Sequence, residues 1–131
     1  MKESAPGSMK INKGGNVMAD SLIKLNEERE AMVQKFAGLM PDLAVSLKNT
    51  SDEAYKEGAV SAKTKRLMAL AIALGVGCQN CELGQAMKAL ELGATREEVL
   101  ETIGVVTSIR GTTGLAESYK VIQLLDELGK L

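Results

Sequence analysis

Residues 61–81 read SAKTKRLMALAIALGVGCQNC, and the spacing within them decides the fold. Ser61 is a helix-opening residue, and Leu67, Leu70, Ala71 and Leu74 follow at three- and four-residue intervals on one side. Gly75-Val76-Gly77 stops that helix. Cys78 then opens a second one, which runs to about residue 92 and closes on Gly93 as a left-handed cap. The segment 67–74 is apolar almost all round, which predicts a helix covered on several sides.

Working outward, Thr95 with Glu98 three residues later is a capping box, with Val99, Leu100, Ile103 and Val106 behind it on one face. Gly111 and Gly114 flank Thr112-Thr113 and restart the chain into a last helix striped by Leu115, Tyr119, Ile122, Leu125 and Leu128. Upstream, Asp20 or Ser21 caps a helix carrying Leu22, Leu25, Met32, Val33 and Phe36. Pro41 begins a short helix with Leu43, Ala44 and Leu47 on its apolar face. Asn49-Thr50-Ser51-Asp52 reads as a breaker, with a brief helical turn after it up to Gly58. Period-two alternation is nowhere sustained, so the expected class is all-α. Residues 1–17 are polar, Gly- and Lys-rich and aperiodic, and read as a disordered tail before a domain over 18–131; Met9 and Met18 are alternative starts.

The composition supports one domain of 131 residues with 45% hydrophobic and 25% charged residues. Only two Tyr and one Phe are present, so the core is built from aliphatic residues and seven Met, which suits packed helices. Sixteen basic and seventeen acidic residues argue against a nucleic-acid binder with a broad basic face. The near-apolar run 67–78 is well short of the ~20 residues of a membrane span. Without an export signal, two closely spaced Cys point to a reducing cytoplasm.

Chemistry is narrowed most by a residue that is missing. The chain has no His, which removes the His-dependent triads, the Cys-His pair and every His-bearing metal site. Cys78-Gln79-Asn80-Cys81 remains as the one chemical constellation. A helix start offers free N–H groups and a positive dipole end, both of which favour a thiolate. Lowering a Cys pKa from ~8.5 to ~7 raises the thiolate fraction at neutral pH from a few per cent to about half. At i and i+3 the two sulfurs share a face and come within disulfide reach. A cycling dithiol, a buried structural pair and a four-sulfur metal site shared with a second chain all fit this spacing.

The run Lys63-Thr64-Lys65-Arg66-Leu67-Met68-Ala69-Leu70-Ala71, then Gly77-Cys78-Gln79-Asn80-Cys81, then Gly93-Ala94-Thr95-Arg96-Glu97-Glu98 resembles the AhpD-like alkylhydroperoxidases of the carboxymuconolactone decarboxylase family. The resemblance covers about residues 20–130 and implies an antiparallel helix pair carrying the CxxC, in subunits assembled as trimers or hexamers. It implies that Cys81 is the peroxide-reactive thiol and that Cys78 resolves it as a disulfide. The family pattern places a Glu twelve residues before the first Cys and a His four after the second, as a proton relay. Those positions here are Arg66 and Gln85. Gln85 accepts no proton at physiological pH, whereas a cation at position 66 stabilises a standing thiolate at Cys81. Glu82 lies about 100° round the helix from Cys81 and is not favoured as the base. The segment Arg110-Gly111-Thr112-Thr113 reads either as an anion site at a helix start or as an ordinary cap.

These residues point to a thiol–disulfide oxidoreductase or weak peroxidase using Cys81, Cys78, Arg66 and Gln85, with a peroxide or disulfide as substrate. Electrons would come from a dithiol partner protein, because no dinucleotide-binding glycine motif is present; no cofactor or metal is expected. The rival readings are a lactone decarboxylase, disfavoured by the lack of His, and a non-catalytic oligomer that has kept the fold.

Overall fold

The computed structural model describes residues 21–131, together with the backbone of residues 10–11 and 17–18. Six helices follow one another among the described residues: α1 (Leu22–Leu39), α2 (Pro41–Tyr55), α3 (Ala62–Val76), α4 (Gln79–Glu91), α5 (Arg96–Arg110) and α6 (Thr112–Glu127). Most of the segment read as a disordered tail lies outside the described residues. Within and just beyond it, β1 (Lys10–Ile11) and β2 (Val17–Met18) pair antiparallel, Lys10 opposite Met18 and Ile11 opposite Val17. Among the described residues, this two-rung ladder is the one departure from helix and connecting turns.

Local capping set most of the boundaries. The side chains of Ser21, Ser61 and Thr95 each accept the N–H three residues on, and the Thr95–Glu98 box is closed in both directions. Asp20, the other cap candidate for α1, is outside the described residues. Gly77 ends α3 and Gly93 follows the end of α4, both at positive φ (76° and 89°), where a Cβ would be strained. The core is aliphatic. Leu70 and Leu74 of α3, Leu83, Ala86 and Ala89 of α4, Val99, Ile103 and Val106 of α5, and Val121, Leu124 and Leu125 of α6 form one cluster, joined by Leu22 of α1. α3 and α4, linked through Gly77-Cys78, form the most extensive helix pairing.

Three expectations need correcting. The cluster Asn49-Thr50-Ser51-Asp52 does not break the chain: α2 runs through it to Tyr55. Thr50 donates its hydroxyl to the Ser46 carbonyl, and Lys48 pairs with Asp52 one turn on, so these polar side chains are satisfied within the helix. The fully buried residues of α6 are Gly114, Ser118, Val121, Leu124 and Leu125; of the expected stripe Leu125 is buried and Ile122 and Leu128 pack partly buried against the core, whereas Leu115 and Tyr119 are exposed. Finally, 67–74 is packed by α4, α5 and α6 but not all round, because one stripe stays open within the chain. Met68, Ile72 and Val76 line an outer face of α3, with Val105 and Ile109 exposed on α5, and Ile109 retains 84% of its accessible surface. Met32, Val33, Leu43 and Leu47 on α1 and α2 are exposed as well.

Candidate active site

Cys78 is the N-cap of α4 and Cys81 sits in its first turn. Their sulfurs form a disulfide, with Cα atoms 5.2 Å apart. Cys78 Sγ also accepts the Cys81 N–H at 3.3 Å, so the sulfur takes the place of a capping oxygen. Cys78 is half-buried and Cys81 exposed, which leaves one sulfur facing solvent.

Arg66 on α3 and Gln85 on α4 are brought together: Arg66 Nη1 donates to Gln85 Oε1 at 3.1 Å. The same guanidinium lies over the Tyr55 ring, 3.5 Å from its centroid, so α2, α3 and α4 meet at this cation. A concavity of about 360 Å³ adjoins it, lined in part by Ser51, Tyr55, Arg66 and Lys88. The contacts of Arg66 are thus with Gln85 and Tyr55, and neither sulfur is among them.

On the inner side of the cysteine turn lies a group that the periodicity did not single out. Glu82, the residue after Cys81, is fully buried. As a charged carboxylate it has no donor for either oxygen. Burial pushes its pKa up to about 8; a hydrogen bond to Glu117 and that group's negative charge act in the same direction, against Lys120 and Arg110. Two carboxyl groups bond only if one carries the proton, so a protonated Glu82 donating to Glu117 removes the orphaned atoms. Glu117, accepting that bond, is held below the usual carboxylate range. Its Oε1 lies 3.5 Å from Lys120 Nζ, and its Oε2 4.0 Å from Arg110 Nη1. Arg110 Nη1 also donates to the Leu74 carbonyl at 2.6 Å, so the Arg110 side chain is directed into the helix packing and not to an open anion site. Gly111, without a side-chain cap, opens α6.

The local sequence motif and the order of the helices place this arrangement in a known group. The model of the carboxymuconolactone decarboxylase family matches residues 41–123. The chain belongs to that family. It is similar to a carboxymuconolactone decarboxylase family protein of Legionella pneumophila, solved in its apo form, with 29% identity, a TM-score of 0.78, and coverage of 83% of this chain and 97% of that one. Among curated proteins it is 34% identical to uncharacterised protein 4 of the cox locus of Paracoccus denitrificans, over 56% of this chain and 67% of that protein. An uncharacterised protein of Cupriavidus necator is 28% identical over 79% of this chain and 82% of its own length. A Thermotoga maritima structure, 21% identical with a TM-score of 0.64 and covering 82% of this chain and 91% of that one, shares the fold. The Cys78–Cys81 pair and the Arg66–Gln85 contact both lie within the matched span.

Proposed function

We propose that this carboxymuconolactone decarboxylase family protein is a thiol–disulfide oxidoreductase with weak alkylhydroperoxidase capacity, acting through Cys78 and Cys81. The observation that carries the reading is the disulfide at the start of α4 with Cys81 open to solvent. The Cys81 thiolate attacks the terminal peroxide oxygen, the O–O bond breaks, and the alkoxide leaves and takes a proton from water to become the alcohol, with Cys81 left as sulfenic acid. Cys78 then attacks that sulfur, forming the disulfide and releasing water. A dithiol partner protein returns the two electrons by exchange. Arg66 contributes positive charge behind Gln85, one turn beyond Cys81, and disfavours the neutral thiol.

The domain on this reading spans 18–131 and works in the cytoplasm, where thiol donors keep such pairs cycling. No described helix is long and apolar enough to cross a membrane. Homo-oligomers, trimers or hexamers, fit the outer apolar face formed by Met68, Ile72, Val76, Val105 and Ile109.

A second reading, a non-catalytic oligomer of the same fold, is favoured by the Arg66–Gln85 bond, which ties up both relay positions. Intact mass after near-stoichiometric peroxide separates the two. The oxidoreductase loses two hydrogens rapidly, and with Cys78→Ser a sulfenic acid is trapped on Cys81. Oxidation no faster than that of a free thiol eliminates the peroxidase, and failure of a dithiol to reduce the disulfide eliminates the oxidoreductase.

A further inference from the structure

The carboxyl pair brackets the cysteine motif. Glu82 directly follows Cys81, and Glu117 Oε2 stands 3.6 Å from where a Cβ on Gly77, the residue before Cys78, would lie. The charged groups around it come from each neighbouring helix. α6 supplies Glu117 and Lys120, and α5 supplies Arg110. α1 places the Arg29 guanidinium against Gly84 of α4, 3.1 Å from a Cβ position there. α3 contributes the Leu74 carbonyl, which Arg110 occupies. A fully buried acid whose oxygens find no donor, and whose hydrogen-bonding neighbour is a second acid paired to two cations, can hold one proton between two carboxyl groups.

We infer that Glu82 and Glu117 share one proton beneath the Cys78–Cys81 turn and supply it to the thiolate released when the disulfide is opened. This rests on the thiol–disulfide reading of the same site. A donor thiolate attacks the exposed Cys81 sulfur; the Cys78–Cys81 bond breaks, a donor–Cys81 bond forms, and the electron pair leaves on Cys78. Cys78 takes the shared proton and both carboxylates become charged, held by Arg110 and Lys120. The donor's second thiolate then attacks its own disulfide sulfur and frees Cys81, which is protonated from water. The donor is oxidised by two electrons and the protein disulfide reduced by two, and water refills the carboxyl pair. Neither glutamate stands at a family relay position, so the pair supplies a proton that the Arg66–Gln85 contact cannot.

The test follows reduction of the full chain by dithiothreitol from pH ~6 to ~9, with rates normalised to dithiothreitol thiolate, in the parent, Glu82→Gln and Glu117→Gln. The parent rate is expected to fall by about tenfold as the pair loses its proton, with the descent centred near pH ~8, while Glu82→Gln is slow and flat across the range. Time-resolved infrared spectra should show a protonated-carboxyl band in the oxidised parent that is lost transiently as the disulfide opens, recovers as water refills the pair, and is absent in Glu82→Gln. Should Glu82→Gln fail to fold, Glu117→Gln, at the more accessible partner, gives the same flattened profile. A parent profile without the descent, or a carboxyl band that reduction leaves untouched, overturns the proton store while reduction itself proceeds. A disulfide that dithiothreitol does not reduce overturns the exchange reading, and the proton store with it.

Discussion

Arg66 Nη1 donates a hydrogen bond to Gln85 Oε1 across the α3–α4 packing, at 3.1 Å. The resemblance places an acid and a histidine at these two positions; the structure holds there a cation–amide contact stacked on Tyr55. Arg66→Ala removes that cation and should raise the Cys81 pKa in the reduced protein. Thiolate absorbance against pH measures it, and an unchanged titration removes Arg66 from the thiol chemistry. The double change Arg66→Glu with Gln85→His should speed peroxide attack by about 10²-fold, the usual contribution of a positioned acid–base group. Stopped-flow peroxide consumption checks this, and a rate equal to the parent's would mean that the relay positions do not control Cys81.

The carboxyl pair also predicts how stability follows pH. Glu82 is raised to about 8 from its ordinary 4.5, and Glu117 is lowered. Between these limits the folded chain keeps one proton that the unfolded chain has released. Stability therefore falls as pH rises from about 4.5 to about 8, by up to about 1 kcal/mol per pH unit from this site. Urea midpoints across that window should drift downward in the parent and flatten in Glu82→Gln. A parent midpoint that rises through the window would mean that Glu82 is ionised when buried.

How much of this was legible from the residues depends on the distance over which each feature is decided. Ser61, Thr95 with Glu98, Gly77 and Gly93 mark helix ends through contacts three or four residues away, and those ends stand where the pattern put them. The breaker reading of 49–52 failed because Thr50 and Lys48 find partners inside the helix, which a list of turn-forming residues does not reveal. At the start of α6, Leu115 and Tyr119 are exposed, and Gly114 and Ser118, small residues with no hydrophobic signal, are buried in their place. The spacing weighs Glu82 only by its angle from Cys81 on the helix. Its burial and its partner Glu117, 35 positions further on, depend on packing between helices that periodicity along α4 does not carry.

Gly114 is buried in the first turn of α6, just past its junction with α5. A Cβ there would sit 2.7 Å from Arg110 Cβ and 3.3 Å from the Val106 carbonyl, and neither is a flexible side-chain end. Gly114→Ala must push the two helices apart and should cost about 1–3 kcal/mol. The same shift moves Arg110 away from the Leu74 carbonyl and from Glu117. Denaturant unfolding reads the loss, and a variant as stable as the parent would mean that the junction relaxes freely.

Glu127 closes the molecule by capping α1 from the far end of the chain. Its carboxylate accepts the N–H groups of Leu22 and Ile23 at 2.9–3.1 Å and the Ser21 hydroxyl at 3.1 Å. Burial by itself would raise its pKa, but the backbone donors of Leu22 and Ile23 prevail and hold it below the usual range. A depressed folded pKa gives stability that is present above the unfolded value and lost as pH falls through the folded one. Glu127→Ala should therefore cost about 1–2 kcal/mol at neutral pH and much less in acid. Thermal melts of parent and variant at neutral and acidic pH check it; a gap that stays constant would exclude the capping charge.

The outer apolar face gives the last prediction. Met68, Ile72 and Val76 repeat every four residues along α3, and Val105 and Ile109 do the same on α5, the helix packed beside it. Five large apolar side chains left exposed on adjoining helices form a surface that a soluble monomer rarely leaves uncovered, and a second copy of the chain offers the same surface in return. The parent should therefore elute as a closed oligomer. Ile72→Glu and Ile109→Glu, each placing a charge in that face without touching the core, should shift it towards monomer with little change in helix content. Light scattering coupled to size exclusion gives the mass and circular dichroism the helicity. A parent already monomeric at micromolar concentration would reject self-association, and an unchanged mass in both variants would place the interface on the exposed apolar residues of α1 and α2, Met32, Val33, Leu43 and Leu47.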